Sequence, residues 1–254
     1  IEAWDVTLAS KGVKLFRVLI GPNKSSIYPE YMPTWARPVA PNVTDTLLSG
    51  SHKFIDLRKA LLLAKQRYKI PLYYKTDTHW NFLGAAVAFQ EFSLQVGNLV
   101  PEIKWPNTNA YQIREMAIRE GGDLANFLRL SHDISEFEPI LESTQNWGVV
   151  TQTNFDTQEV LPHGGPPSLP VLVKSKEALN NKKVLWLRDS FGGALLPLMS
   201  ATFSHILQIQ WVEALKKDGR FLEFVDTWKP DYVFITVVER SARNDLFTAR
   251  PHQK

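Results

Sequence analysis

The chain has no cysteine in its 254 residues. That excludes a disulfide scaffold, a zinc ribbon, a thiol nucleophile and a thiolate-held iron–sulfur cluster. It does not decide the compartment, because many exported proteins also lack cysteine. No stretch approaches the ~20 consecutive apolar residues of a membrane span. Apolar patches such as residues 18–20 and 60–64 are far shorter. The metal and phosphate signatures HExxH, Walker A and GxGxxG are missing. There is also no large excess of either charge. The 29 basic residues against 26 acidic give +3, which does not argue for nucleic acid. A pI near 9.0 leaves room for an anionic partner.

Of the residues present, 44% are apolar and 22% charged, ordinary for a globular chain long enough to bury a large core. There is no internal repeat, low-complexity tract or heptad run. The chain begins at Ile1 rather than Met, which reads as a mature form or an excised domain with a signal peptide or membrane anchor removed. Two proline-rich stretches, residues 28–41 and 162–170, read as surface loops. Neither is a convincing linker, so one domain spanning residues 1–254 is expected.

Strand-like and helix-like segments alternate. Residues 14–20, 71–74, 171–174, 183–187, 205–210 and 231–238 read as strands, and 147–153 as another. Helical spacing covers 51–68, with Ser51 as its cap, and 82–96, with Asn81 as its N-cap. It also covers 122–130, 191–201 and 212–228. This alternation predicts a three-layer α/β/α domain with a central parallel sheet covered on both faces. An irregular insertion is expected around residues 99–175.

In such a sheet, ligands bind beyond the carboxyl ends of the strands. The polar residues expected at that edge lie in 22–24, 75–80, 188–192 and 239–240. The segment 184–193 runs strand, tight turn, helix. A serine at such a turn is exposed near converging backbone N–H groups, as a nucleophile requires. Equally, Asp189 or Ser190 there could simply cap the helix. Of six histidines, only His79 follows a predicted strand and has an aspartate two residues before it. In extended chain those two residues share a face. Asp77 could then orient His79 toward Ser190, a complete nucleophile, base and orienter. A surface Asp–His contact is the other reading of that pair. His163-Gly-Gly165 resembles a lipase oxyanion loop, but amid prolines it reads as a turn. The Asn42-Val-Thr44 sequon matters only in a secreted eukaryotic protein. Most of the eight tryptophans should be core, with one or two able to stack on sugar rings.

Several blocks resemble one family. Residues 73–85 (YYKTDTHWNFLGA) closely resemble the "TDTHW…GA" block of the AlgX/AlgJ-like polysaccharide O-acetyltransferases, which carry an SGNH-hydrolase-like domain. Residues 18–30 are similar to that family's first-strand block, Gly122-Asp-Leu124 to its "GDL" segment and residues 184–197 to its serine block. The order and spacing agree as well as the letters.

The resemblance implies a flavodoxin-like α/β/α fold. It implies Ser190 as nucleophile, His79 as general base and Asp77 as orienter, with the Asp-x-His pair preceding the serine in the chain. Lys24 and Tyr28 match the first block and are expected to line the site or pack over a loop. Trp80 and Gly192 join them as oxyanion or substrate-binding candidates. Arg188 stands where alginate members commonly have glycine, so it either contacts the acyl oxygen or acceptor, or pairs with a neighbouring acid. Glu239 and Arg240 follow the last strand and either pair with each other or join the site. No module like the C-terminal carbohydrate-binding module of AlgX is seen.

The implied activity is acetyl transfer through an acetyl-serine onto hydroxyls of an exported bacterial polysaccharide, in the periplasm, with possible tethering to the inner membrane. The implied partners are the polysaccharide, a membrane-bound O-acyltransferase that supplies acetyl, and other secretion proteins, but no nucleic acid. No metal or other cofactor is implied beyond an acetyl donor. A carbohydrate acetylesterase using the same residues, or a non-catalytic polysaccharide-binding component, are the alternatives.

Overall fold

A computed structural model of the chain describes residues 1–145, 150–162 and 168–248. Helix α1 (Glu2–Ser10) leads into strand β1 (Leu15–Gly21), then α2 (Lys24–Ile27) and α3 (Val43–Ser49). Next come β2 (Phe54–Asp56), α4 (Arg58–Arg67) and the long α5 (Phe82–Leu99). A second region holds β3 (Tyr111–Glu120), α6 (Asp123–Phe127), β4 (Ser135–Ser143), β5 (Val150–Asn154) and β6 (Val171–Ser175). The chain returns through β7 (Asn180–Arg188), α7 (Leu196–Thr202), β8 (Phe203–Gln210), α8 (Trp211–Leu215), α9 (Phe221–Trp228) and β9 (Tyr232–Val238).

Seven strands form one sheet in the order β2-β1-β9-β7-β8-β6-β5. The first five are parallel, and β6 and β5 add an antiparallel edge. The middle strands are apolar on both faces, as covered parallel strands require. Alternate residues of β7 enter different cores. Val184 and Trp186 pack with α4, α5 and α7, while Leu185 and Leu187 pack with α1, α8 and α9. β9 does the same, with Phe234 in the first core and Val233 and Ile235 in the second. The three-layer α/β/α architecture expected from the sequence is therefore present, with a mostly parallel sheet.

Several boundaries differ. The expected helix over 51–68 is a turn, a short strand and α4. Ser51 accepts the Lys53 N–H in that turn at 3.1 Å rather than capping a helix. Asp56 stops β2 and accepts from the Arg58 N–H at the start of α4. Residues 71–74 do not join the sheet, and only Tyr73 bridges to Trp80. The segment after Ser190 begins as a 3-10 turn, Ser190–Leu195, and becomes α-helical only at α7. The expected helix over 212–228 is two helices, α8 and α9, broken around Gly219. Asn81 does cap α5, accepting from the Gly84 N–H at 3.1 Å.

The region 99–175 departs most from expectation. It is neither irregular nor wholly an insertion. β5 and β6 belong to the main sheet, and β3 and β4 form a separate antiparallel ribbon. Of the strand expected over 147–153, the described part starts at Val150. His163, Gly164 and Gly165 lie outside the described residues. No helix among the described residues is long and apolar enough to cross a membrane.

Candidate active site

The carboxyl ends of β1, β9 and β7 meet at one edge of the sheet. Ser190 follows β7 directly. Asp189 caps the turn, its Oδ1 accepting from the Phe191 N–H at 2.9 Å and its Oδ2 from the Val238 N–H at 2.7 Å. Burial raises the pKa of this carboxyl, against the lowering effect of those two N–H donors. Asp189 is therefore the cap of this segment, and Ser190 beside it is presented to solvent.

His79 reaches Ser190 from the loop between α4 and α5. Its Nε2 lies 2.6 Å from Ser190 Oγ, and its Nδ1 lies 2.6 Å from Asp77 Oδ1. Asp77 Oδ1 also accepts the His79 backbone N–H at 3.0 Å, closing a turn that sets the ring's direction. Burial pushes the Asp77 carboxyl up. The two His79 hydrogen bonds, then the charges of His79 and Arg119, outweigh burial and hold it well below the ordinary carboxylate range.

The ribbon β3–β4 and α6 grip this loop from outside. Arg119 donates to Asp77 Oδ2 at 3.2 Å, and its guanidinium sits 3.9 Å above the Tyr74 ring. Opposite Arg119 in the ribbon is Glu136, which accepts from the Lys75 and Thr76 N–H groups and the Thr76 hydroxyl. Glu138, on the same face, accepts from the Tyr74 hydroxyl at 2.9 Å. Asp123 accepts from the Thr78 N–H at 2.7 Å and from its hydroxyl. The backbone N–H of Ala125 reaches the Thr76 carbonyl at 3.1 Å. A Cβ on Gly122 would fall inside the carboxyl group of Asp77, so this position must be glycine for α6 to lie so close.

Asp77, His79 and Asp123 each offer a ligand atom within 4.8 Å of the others. These atoms are already engaged. Arg119 takes the second oxygen of Asp77, and Thr78 holds both oxygens of Asp123. Asp123 Oδ2 lies 3.6 Å from His79 Nδ1, too far for a direct hydrogen bond.

The other candidates divide. Lys24 is at the site but points beneath it. Its ammonium donates to the carbonyls of Lys75 at 2.7 Å and Asp77 at 3.1 Å, and burial lowers its pKa despite nearby Glu136, Asp77 and Asp123. Tyr28 is structural: its hydroxyl accepts from the Leu72 N–H at 2.9 Å. Trp80 is only 1% exposed, its indole donating to the Phe191 carbonyl at 2.9 Å, so it cannot stack on a sugar. It fixes Phe191, the residue after Ser190, instead.

Arg188 is 2% exposed and lies behind Ser190. It donates to Gln208 at 2.7 Å and to the Asp189 carbonyl at 3.1 Å, and burial lowers its pKa to about 10. Gly192 lies against it, where a Cβ would come 2.6 Å from Arg188 Cδ and 2.9 Å from the Trp186 ring. The Gly192 N–H is spent on the Asp189 carbonyl at 3.2 Å, so it is not aimed at an acyl oxygen. Glu239 does not pair with Arg240. It turns inward to the Asn23 N–H at 2.8 Å and the Ser26 hydroxyl at 2.6 Å. Arg240 remains exposed on the rim, over the Phe191 ring at 5.7 Å and 3.3 Å from Asn23 Oδ1.

Sequence reasoning missed Arg119, Glu136 and Glu138. Asp123 lay within the noted Gly-Asp-Leu block, which was its signal. The fold and this edge define an SGNH-hydrolase-like domain. Over residues 1–167 the chain matches the SGNH hydrolase-like domain of the acetyltransferase AlgX, and it belongs to that family. The matched stretch contains Asp77, His79 and Asp123; Ser190 lies beyond it. Comparison with curated proteins finds no match. Among solved structures, Bacillus cereus PatB1 with a sulfonyl adduct is similar, at TM-score 0.73 and 18% identity over 99% of this chain and 88% of that one. A DHHW family protein from Eubacterium siraeum gives 0.71 at 16% identity, over 100% and 88%. The O-acetyltransferase domain of Pseudomonas putida AlgJ gives 0.59 at 20%, over 98% and 84%. At these identities the likeness is one of fold.

Proposed function

We propose that this protein is an O-acetyltransferase that carries acetyl on Ser190 and passes it to hydroxyl groups of an exported bacterial polysaccharide. The observation that carries this reading is the unbroken chain from Ser190 Oγ through His79 to Asp77, with 2.6 Å at each link. His79 Nε2 takes the Ser190 proton as Oγ attacks the acetyl carbonyl of the donor. The donor's leaving group departs with that proton, giving acetyl-Ser190. A sugar hydroxyl then gives its proton to His79 and attacks the ester, and collapse returns the proton to Ser190 Oγ. Asp77 holds the imidazole in the tautomer with hydrogen on Nδ1 and stabilises the imidazolium. With the Phe191 and Gly192 N–H groups bonded to Asp189, the candidates to meet the acyl oxygen are the Ser190 N–H and the exposed Arg240.

The exposure of Ser190 suits an acceptor that is part of a polymer and cannot be engulfed. Under this reading the protein works in the periplasm. A membrane-bound O-acyltransferase supplies the acetyl group, and other secretion proteins are its neighbours. No metal or organic cofactor enters the steps.

The test is incubation with a chromogenic acetyl ester and bare oligosaccharides, followed by mass spectrometry, with Ser190→Ala as control. Acetyl gain on a sugar that vanishes in the variant is expected. Acetate release alone, lost in the variant, would make the protein an acetylesterase. Activity that persists in the variant would remove Ser190 from the reaction.

A further inference from the structure

A second concavity of about 830 Å³ lies between α5 and the far end of the β3–β4 ribbon. Its lining contains no Asp, Glu, Lys or Arg, in a chain that is 22% charged. Its aromatic wall centres on Trp105. Trp105 is wedged edge-to-face between Phe89, Phe92 and Phe203, with ring centroids 5.5–5.9 Å apart. Tyr111 stands beside it, its hydroxyl 3.3 Å from the Pro197 carbonyl.

Along the rim, the exposed side-chain amides of Gln90, Asn98, Asn107 and Gln112 make no hydrogen bond to the described residues. Such amides are donors and acceptors without charge, and aromatic faces offer flat apolar surface. That pairing complements pyranose rings, which present hydroxyls at their edges and C–H groups on their faces. It does not complement a polyanion, which would find no cation to offset its desolvation. A fatty acyl chain would use the apolar floor and leave the rim amides unused.

We propose that this groove binds a run of uncharged sugar rings. The placement gives the site a use. β3 begins at Tyr111 in the groove and ends beside Arg119, which holds Asp77. The eight-residue interval spans roughly 27 Å of strand, the length of several sugar rings. Resting on the acetyltransferase reading, the bound rings are a distant stretch of the acceptor, so the acceptor carries neutral segments.

Isothermal titration of the Ser190→Ala protein tests the groove without catalysis. The probes are cellohexaose, laminarihexaose and chitohexaose, with oligomannuronate and decanoate as charged and acyl controls. At least one neutral hexasaccharide is expected to bind. The exposed-surface double variant Asn98→Glu, Gln112→Glu should weaken it by about tenfold or more. In the Ser190 background, the same double variant should hydrolyse p-nitrophenyl acetate at an unchanged rate and melt at an unchanged temperature.

Failure of all neutral hexasaccharides to bind overturns the proposal. So does binding indifferent to the double variant, or binding of oligomannuronate or decanoate alone. Specific binding without Ser190-dependent acetyl transfer would support the groove and sink the transferase reading.

Discussion

Arg119 donates to the one Asp77 oxygen that His79 does not use, at 3.2 Å. The carboxylate between them is therefore shared by an imidazole and a permanent cation. Its guanidinium also rests on Tyr74, so the cation is itself fixed in place. Arg119 comes from the β3–β4 ribbon, outside the main sheet, and so the ribbon governs the charge that the imidazole experiences.

Replacing Arg119 by Gln should therefore do two things. Asp77 loses an anchor, and turnover of a small acetyl ester falls about tenfold, or ~1.4 kcal/mol of barrier. One of the charges that lower the Asp77 carboxyl is also gone, so that carboxyl protonates at a higher pH than in the wild type and the acid side of the kcat/KM profile moves up. The groups facing this cluster are Asp77, Asp123, Glu136, Glu138, Asp189 and Lys24, all intact in the variant. A pH profile that falls in height without moving would make Arg119 a purely mechanical brace.

The legibility of this site differed by residue for a physical reason. Ser190 follows a sheet strand, where a local pattern of strand, turn and helix locates it, whereas Asp77 and His79 lie in the loop before α5, with no sheet strand ahead of them, and were located by their spacing and by the family block around them. The α/β alternation was similarly legible, because buried parallel strands read as apolar runs. β3 and β4 were not. Their inner face carries Arg119, Glu136 and Glu138, whose partners are loop groups far away in sequence. Their outer face leaves Ile118 and Phe137 exposed at 70% and 66%, so the ribbon turns its polar side inward, the reverse of the apolar-in pattern by which a half-buried strand is recognised. The grip on the loop of Asp77 and His79 exists only in three dimensions. Lys24 and Trp80 were found, but their direction was not, since a motif names a position and not what its side chain touches.

Asp77→Asn should cut turnover by about 10²–10⁴-fold, because an amide can present hydrogen to Nδ1 and favour the wrong tautomer. It should also change the pH dependence of stability. The Asp77 carboxyl is held below its ordinary value in the fold. Its charge therefore stabilises fully above the ordinary range near ~4, and that contribution is lost as pH falls through the lowered folded value. Melting temperatures of wild type and variant should differ by a constant amount near neutrality and converge in acid. A difference that widens in acid would refute the assignment.

Gly122→Ala is the sharpest test of the α6 contact. The added methyl has nowhere to go but into Asp77. Either α6 shifts outward or the carboxyl turns away from His79. A loss of about 1–3 kcal/mol is expected, together with a fall in activity. By contrast, Gly193→Ala adds a methyl with open space around it and should leave stability nearly unchanged. Equal melting temperatures for the two variants would mean that α6 does not rest on the loop.

Lys24→Met separates support of the loop from contact with substrate. The ammonium gives its hydrogen bonds to the Lys75 and Asp77 carbonyls, from β1's side of the loop, while the ribbon holds the opposite side. Methionine keeps the stem packed but removes both bonds. Two carbonyls lose a charged donor, which is worth about 1.5–3 kcal/mol per bond to a charged group at most. The bound geometry of His79 loosens, so kcat for a small ester should fall several-fold with KM little changed. A substrate-binding lysine would instead raise KM, and more steeply for an anionic acceptor than for a neutral one. Measuring both constants with oligomannuronate and with cellohexaose as acceptors distinguishes the two, and a rise confined to KM would return Lys24 to the substrate side of the site.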